Sequence, residues 1–184
     1  MALRDAAWPA LAVAAVLGFW ALGARNRLVA LRNAVSAAWA QADEAQRRRG
    51  EGIEQLVAAL RAPLADEQGA LDALWSAHAA SARAAGAMSA RPLAQANAAA
   101  WTEAERHLVA AATRVLALAD GQAQALAGCA DVQAARAAWV EAGERLRFAR
   151  QLYNDAAAAH DEAIAVFPTS LLSPVFGLRA AGRL

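Results

Sequence analysis

EAGERLRFARQLYNDAAAAHDEAIAVFPTSLLSPVFGL, Glu141 to Leu178, is the least alanine-diluted run of the chain, and its reading decides the fold. Polar and apolar residues recur at helical spacing as far as Phe167. Pro168 then stops the helix, because proline has no N–H to give and its ring clashes with the preceding turn. A short apolar tail follows. A helix this long must cover its apolar side with neighbours, so the upstream sequence is expected to supply the other members of a bundle.

The totals agree with an all-helical chain. Its 184 residues fit one domain plus one extra segment. The composition is 59% hydrophobic, but much of that is alanine, which favours helix more than it fills a core. Only 6% of residues are aromatic and few are β-branched, which argues against a sheet. Every basic residue is arginine, and the arginines are scattered along the helices, so coding bias explains them better than chemistry. A net charge of +1 gives no reason to expect nucleic acid as a partner. The lone Cys129 excludes an intramolecular disulfide and a CxxC metal site, and reads as a small apolar residue beside a turn.

Ala6 to Ala24, AAWPALAVAAVLGFWALGA, carries no charge. At about 1.5 Å of rise per residue it is just long enough to cross the hydrocarbon of a bilayer. Trp8 and Trp20 stand near its ends, where indole rings prefer the interface, and Pro9 falls in the first turn, where a missing N–H does little harm. A cleaved signal peptide is the rival reading, since Ala21-Leu22-Gly23 has the small-x-small pattern of a cleavage site. Against it, the leading segment has one Arg4 offset by Asp5, and Arg25 and Arg27 follow the apolar run at once, as in a stop-transfer sequence. The reading is an uncleaved anchor with Trp8, Trp20, Arg25 and Arg27 at the membrane interface. Arg25, Arg27 and Arg32 outweigh Arg4, which places the N-terminus outside and the bulk of the chain in the cytoplasm.

Beyond the span, Leu28, Leu31, Val35, Ala38, Trp39, Ile53, Leu56, Val57 and Leu60 continue a helical pattern with no breaker before Pro63. Span and first bundle helix are therefore predicted to be continuous. A second helix is predicted over about 64–85, with Leu71, Leu74 and Trp75 inward, and Gly86 to Pro92 as the linker. The third runs over about 93–127 with Trp101, Leu108, Val109, Val115, Leu116 and Leu126. Gly128 reads as its C-cap and Asp131 as the N-cap of the fourth, which ends at Phe167. Short connections between long helices imply an antiparallel, up-down arrangement.

If the fourth helix returns to the membrane beside the first, Asn26 is level with Phe167. Asp43 then falls opposite Arg150, Arg48 opposite Arg145 and near Glu144, and Trp39 opposite Tyr153 and Asn154. Complementary charge at Asp43–Arg150 and Arg48–Glu144 supports that register. Within single helices, Asp43–Arg47, Glu44–Arg48 and Glu141–Arg145 are acid-then-base pairs at i,i+4, the mark of a solvated face. Arg47, Arg48 and Arg49 lie roughly 33 Å along a helix beyond Arg25. That is far outside a Debye length of about 8 Å, so they are expected to pair within the protein rather than with lipid headgroups.

A carboxylate bundle site needs Glu-x-x-His on one face, and His78, His107 and His160 lack it. His107 and Glu103 read as an exposed i,i+4 pair. No serine stands on a Gly-x-Ser-x-Gly elbow, and no glycine loop would cradle a phosphate. No catalytic residue, metal or cofactor is expected. Trp39, Trp75, Trp101 and Trp139 fall one per helix and read as core. The candidate polar network or partner patch comprises Asp43, Arg48, Glu144, Arg150, Tyr153 and Asn154. Its bland reading is a satisfied network that fixes helix register, and its functional reading is a recognition patch. The tail, with Leu171, Leu172, Val175, Phe176, Leu178, Arg179 and Arg183, suits either an interfacial anchor or a cap on the open end of the bundle.

Two stretches carry a resemblance. The first is Asn26 to Val57, with Ala38, Trp39, Asp43, Arg48, Arg49 and a closing Leu56-Val57. The second is Phe148-Ala149-Arg150 with Tyr153-Asn154-Asp155, followed by Phe167, Pro168, Leu171, Phe176 and Gly177. Together they resemble the LemA family of bacterial membrane-anchored helical proteins. The chain departs from the family where Ile53-Glu54-Gln55-Leu56-Val57 replaces Ile-Pro-Asn-Leu-Val, so no proline kink is expected in the first helix. It departs also at Asp66-Glu67 (a His-Glu pair in the family) and at His160-Asp161 (Tyr-Asn in the family). The resemblance implies an antiparallel bundle behind an N-terminal span, no established catalytic residues, and members that act as accessories to membrane proteases and envelope processes.

The expectation is all-α: an N-terminal transmembrane helix (1–25) continuous with an antiparallel up-down bundle of about four long helices (26–167), then an apolar tail (168–184). The function expected is that of a non-catalytic scaffold or accessory protein of the bacterial inner membrane, with the lipid bilayer and other envelope proteins as partners. The alternative is a ligand-sensing bundle that signals through the span.

Overall fold

The computed structural model describes residues 2–166 and 179–184. Among these residues the chain is helical and has no strand. Helix α1, Ala2–Leu60, runs 59 residues without interruption. A single 3-10 turn, Ala65–Glu67, leads to α2, Gln68–Ala90. Then come α3, Gln95–Gly121, the one-turn α4, Ala123–Leu126, and α5, Ala130–Ala165. Helices α1 and α5 pack along one another over the greatest length, α2 lies against α1, and α3 lies against α2.

The breaks follow local chemistry. Pro63 ends α1, and the orphaned carbonyls are closed by Leu64 N–H donating to Leu60 O at 2.9 Å. Gln68 Nε2 donates to Arg61 O and Leu64 O, each at 3.0 Å, and so ties the turn to the start of α2. The predicted linker from Gly86 is corrected: α2 continues to Ala90. A glycine inside a helix costs only about 1 kcal/mol against alanine, whereas proline costs about 3, so Pro92 sets the end. Asn97 Nδ2 donates to Ala87 O at 2.7 Å, so the first turn of α3 caps the last turn of α2. The third helix stops at Gly121, earlier than predicted, with Gln122 N–H turning back to Ala119 O. Cys129, not Asp131, is the N-cap of α5; Asp131 lies in the first turn, where its charge faces the positive end of the helix dipole.

Buried positions on α1 advance by alternating steps of four and three: Val35, Trp39, Ala42, Gln46, Arg49, Ile53, Leu56 and Leu60. Ala98, Trp101, Glu105, Leu108, Ala112, Val115 and Ala119 do the same on α3. Such spacing holds one stripe against a nearly parallel or antiparallel neighbour. The stripes form two cores. The one away from the N-terminal segment is aliphatic, around Ile53, Leu56, Leu60, Leu71, Leu74, Leu108, Val115 and Val132. The other combines alanine with Val35, Trp39, Met88, Trp101, Leu146 and Tyr153. One predicted inward residue, Trp75, points out and is 48% exposed; Val109 of α3 is 45% exposed.

The leading part of α1 has no such stripe. Leu11, Val13, Val16, Leu17, Phe19, Trp20 and Leu22 are all exposed, as is Trp8. This is the helix that is long and apolar enough to cross a membrane.

Candidate functional site

Between the two cores lies a buried polar layer that sequence reasoning missed. Trp101 Nε1 donates to Gln46 Oε1, and Gln46 Nε2 donates to Ser81 Oγ at 2.8 Å. The Ser81 hydroxyl donates to Glu105 Oε1, and Arg49 Nη2 donates to Glu105 Oε2. Every donor in the chain points toward the one carboxylate, so α1, α2 and α3 are joined by bonds that polarise one another. Arg49 and Glu105 are both almost wholly buried. A buried ion pair is tolerated only when its remaining polar atoms find partners. Arg49 Nε has no hydrogen-bond acceptor among the described residues. The face of Trp139 on α5, 5.0 Å from the guanidinium carbon, supplies an electrostatic partner for the cation.

The sequence held a signal for this layer. Gln46 and Arg49 interrupt an apolar stripe that runs from Val35 to Leu60, and Glu105 interrupts the corresponding stripe of α3. Polar residues at core positions on two helices that share a bundle are candidates for pairing with each other.

Of the residues singled out beforehand, Arg150 flanks the layer. Its guanidinium carbon lies 5.3 Å from the centroid of Trp101. Burial lowers its pKa below the ordinary arginine value; the nearby Glu105 opposes that effect and Arg49 adds to it. Trp101 also meets Trp39 edge-on, with centroids 5.3 Å apart, and Trp39 meets Tyr153 edge-on at 6.3 Å. Trp39 Nε1 donates to Ser89 Oγ at 2.9 Å. The pairing of Trp39 with Tyr153 is the predicted register of α1 against α5. Arg48 and Arg145 border one groove between these helices, as that register requires.

The charge argument for that register is corrected. Asp43 pairs with Arg47 and not with Arg150, Arg48 pairs with Glu44 and not with Glu144, and Glu144 pairs with Arg147. All three are bonds within a helix turn between exposed or half-exposed side chains. A partner one turn away on the same helix is always in reach, whereas the flanking faces of α1 and α5 point away from each other. Asp43, Arg48 and Glu144 are surface residues of this kind. The run Arg47–Arg49 divides likewise: its first two arginines pair on the surface and the third enters the core. His107 and Glu103 form an exposed pair at 2.9 Å. Arg106, hydrogen-bonded to the same carboxylate, holds the Glu103 pKa down at about 2.

Tyr153 and Asn154 do different work from Arg150: they bind the end of the chain. The Tyr153 hydroxyl faces Pro92 O at 2.6 Å and Gly182 O at 3.2 Å. Burial pushes its pKa up to about 12, so it is a neutral donor at physiological pH. Asn154 Nδ2 donates to Leu184 O and Leu184 N–H donates to Asn154 Oδ1, both at 2.9 Å. Asp161 accepts from Ala181 N–H and from Arg183 Nη2, each at 2.8 Å. Gly182 sits so close to α3 that a Cβ there would collide with the side chain of Ala98 and come within 2.9 Å of Gln95 Cα. Arg179 to Leu184 therefore lie on the bundle, and Arg183 is held by Asp161 rather than offered to lipid. Leu171, Leu172, Val175, Phe176 and Leu178, assigned to interfacial anchoring, lie outside the described residues.

The polar layer holds four helices together, and the Tyr153–Asn154–Asp161 clamp holds the terminal segment, residues 179–184, on the bundle. Among the described residues no group of three or more His, Cys, Asp or Glu side chains is placed to hold a metal. An open cleft of about 860 Å³ lies where the α2–α3 turn, the start of the bundle part of α1 and the end of α5 meet, bordered by Arg32, Arg91, His160 and Arg179. No curated protein matches the sequence. A model of the LemA family matches residues 38–183, a span that takes in the polar layer, the aromatic contacts and most of the clamped tail, and the chain belongs to the LemA family.

Proposed function

We propose that this protein is a non-catalytic scaffold anchored in the bacterial inner membrane by a single span, with its bundle on the cytoplasmic side, where it serves as an accessory to other membrane or envelope proteins. The observation that carries the reading is the leading part of α1. Phe19 is 77% exposed and Val16 67%, on a helix that continues without a break into the bundle. Apolar side chains on every face, left exposed among the described residues, match hydrocarbon as their solvent. Arg25 and Arg27 follow at once and favour the cytoplasmic side for the bundle. Within the bundle, Gln46, Arg49, Ser81, Trp101 and Glu105 are bonded to one another, an arrangement suited to rigidity. The positions between the two cores are filled by these side chains, which favours a scaffold.

Alkali washing of membranes followed by protease treatment of right-side-out and inside-out vesicles tests the reading. The protein should stay in the pellet, and the bundle should be cut only in inside-out vesicles. Release into the supernatant rejects the anchor; cutting in right-side-out vesicles rejects the orientation.

A further inference from the structure

We propose that the cleft at the membrane end of the bundle binds the headgroup of an anionic phospholipid from the leaflet out of which α1 emerges; this rests on the reading of α1 as a membrane span. Three arginines from three different places in the sequence line the cleft: Arg32 on α1, Arg91 at the α2–α3 turn and Arg179 in the tail. All three are exposed, and none has a carboxylate within ion-pair distance among the described residues. The undescribed stretch from Phe167 to Leu178 contains no acidic residue either. Of the acids at this end of α5, Asp161 is occupied by Arg183 and Ala181, and Glu162 does not line the cleft. Elsewhere on the surface Arg47, Arg48, Arg106, Arg136, Arg145 and Arg147 each have an acidic partner, while the exposed Arg61, Arg83 and Arg114 stand on three separate helices or turns and none lines the cleft. What sets this end apart is that three arginines without an acidic partner among the described residues border one cleft.

Position decides the occupant. Val29 and Arg32 lie about 6 to 11 Å along α1 beyond Arg25, comparable with a Debye length of about 8 Å, so they sit within the field of lipid headgroups. The arginine forks suit a phosphate, which they grip in two-point fashion. Val29, Pro92 and Leu93 add apolar walls for the glycerol region of a lipid. A cleft of about 860 Å³ lies in the range of small-molecule sites.

The full chain is reconstituted in vesicles of equal parts phosphatidylglycerol and phosphatidylcholine, extracted in mild detergent, and the lipid that stays bound is counted by native mass spectrometry. Phosphatidylglycerol should be enriched over phosphatidylcholine, with each of Arg32→Ala, Arg91→Ala and Arg179→Ala lowering the enrichment about five-fold. The Arg47→Ala/Arg48→Ala variant, on the far part of the bundle, should keep it. Far-UV circular dichroism and alkali resistance of each variant separate loss of the cleft from loss of the fold or of the anchor. Equal retention of the two lipids by the alkali-resistant wild type overturns the proposal and leaves the anchor standing. Enrichment that survives in the folded triple variant, or that millimolar inorganic phosphate abolishes in the wild type, also overturns it, the latter by assigning the cleft to free phosphate.

Discussion

One helix presents two kinds of surface. From Leu11 to Leu22, α1 exposes its large apolar side chains in every direction; from Val35 to Leu60 it buries a single stripe and exposes the rest. The backbone is the same α-helix throughout. Phe19, 77% exposed, and Trp39, 2% exposed, differ only in what surrounds them. Protein neighbours cover a helix from one side, so they select a stripe; a bilayer covers it from all sides and selects none. On the proposed reading, the distribution of apolar residues around the axis marks the point, near Leu28, where α1 would pass from lipid to the bundle.

The comparison is broken most severely within the stripe. Glu105→Ala leaves the Arg49 cation buried without its counter-charge, and is expected to cost about 3–5 kcal/mol. Thermal unfolding of the detergent-solubilised full chain, followed by far-UV circular dichroism, measures it. The double replacement Arg49→Met/Glu105→Leu should recover most of that loss, because two apolar side chains of similar volume need no partners. A silent Glu105→Ala would mean that the layer is not closed.

On the leading segment the corresponding change is Val16→Arg. A charge at the centre of a span costs about 2.5–3.5 kcal/mol of insertion and should shift protein into the alkali-soluble fraction. The same substitution at the exposed Gln55, on the bundle part of α1, should leave fractionation unchanged.

A smaller effect sharpens the comparison through pH. Burial holds the His78 pKa below 6.5, so the neutral ring is favoured in the fold; its contribution is complete above pH 6.5 and is lost as pH falls through the lowered value. Tyr153 runs the other way. Its folded pKa of about 12 exceeds the ordinary 10.0, so its contribution is complete below pH 10.0 and is lost as pH rises through about 12. Stability plotted against pH should show a plateau between these limbs. Tyr153→Phe should remove the alkaline limb and cost about 0.5–1.5 kcal/mol on the plateau, the worth of one hydrogen bond. Smallest of all, Asp43→Ala should change the unfolding free energy by less than about 1 kcal/mol, since its pairing with Arg47 is at the surface.

These outcomes separate what the sequence made legible from what it did not. Continuity of α1 was legible because no proline stands between Pro9 and Pro63. The register of α5 on α1 was legible from setting Asn26 level with Phe167, which put Trp39 opposite Tyr153, where the two rings meet. The charged residues misled because Asp43, Arg48 and Glu144 each have a partner one turn away that any helix supplies, whatever the bundle does. The polar layer was not found because Gln46, Arg49, Ser81 and Glu105 look like ordinary surface residues until the stripe is traced through them. Tyr153 and Asn154 were recognised as important, but their partners, Gly182 and Leu184, are backbone groups, which no side-chain pattern reports.

The central claim is that α1 leaves lipid and enters the bundle as one unbroken helix. A nitroxide scan along α1 in reconstituted vesicles, one residue at a time from Leu11 to Leu60, tests it through accessibility to oxygen and to a water-soluble relaxant. The account predicts uniformly high oxygen and low relaxant access from Leu11 to Leu22, then helical periodicity in both from Leu28 onward. Helical periodicity of relaxant access within the first stretch, or a gap in periodicity between Leu28 and Leu60, would contradict it.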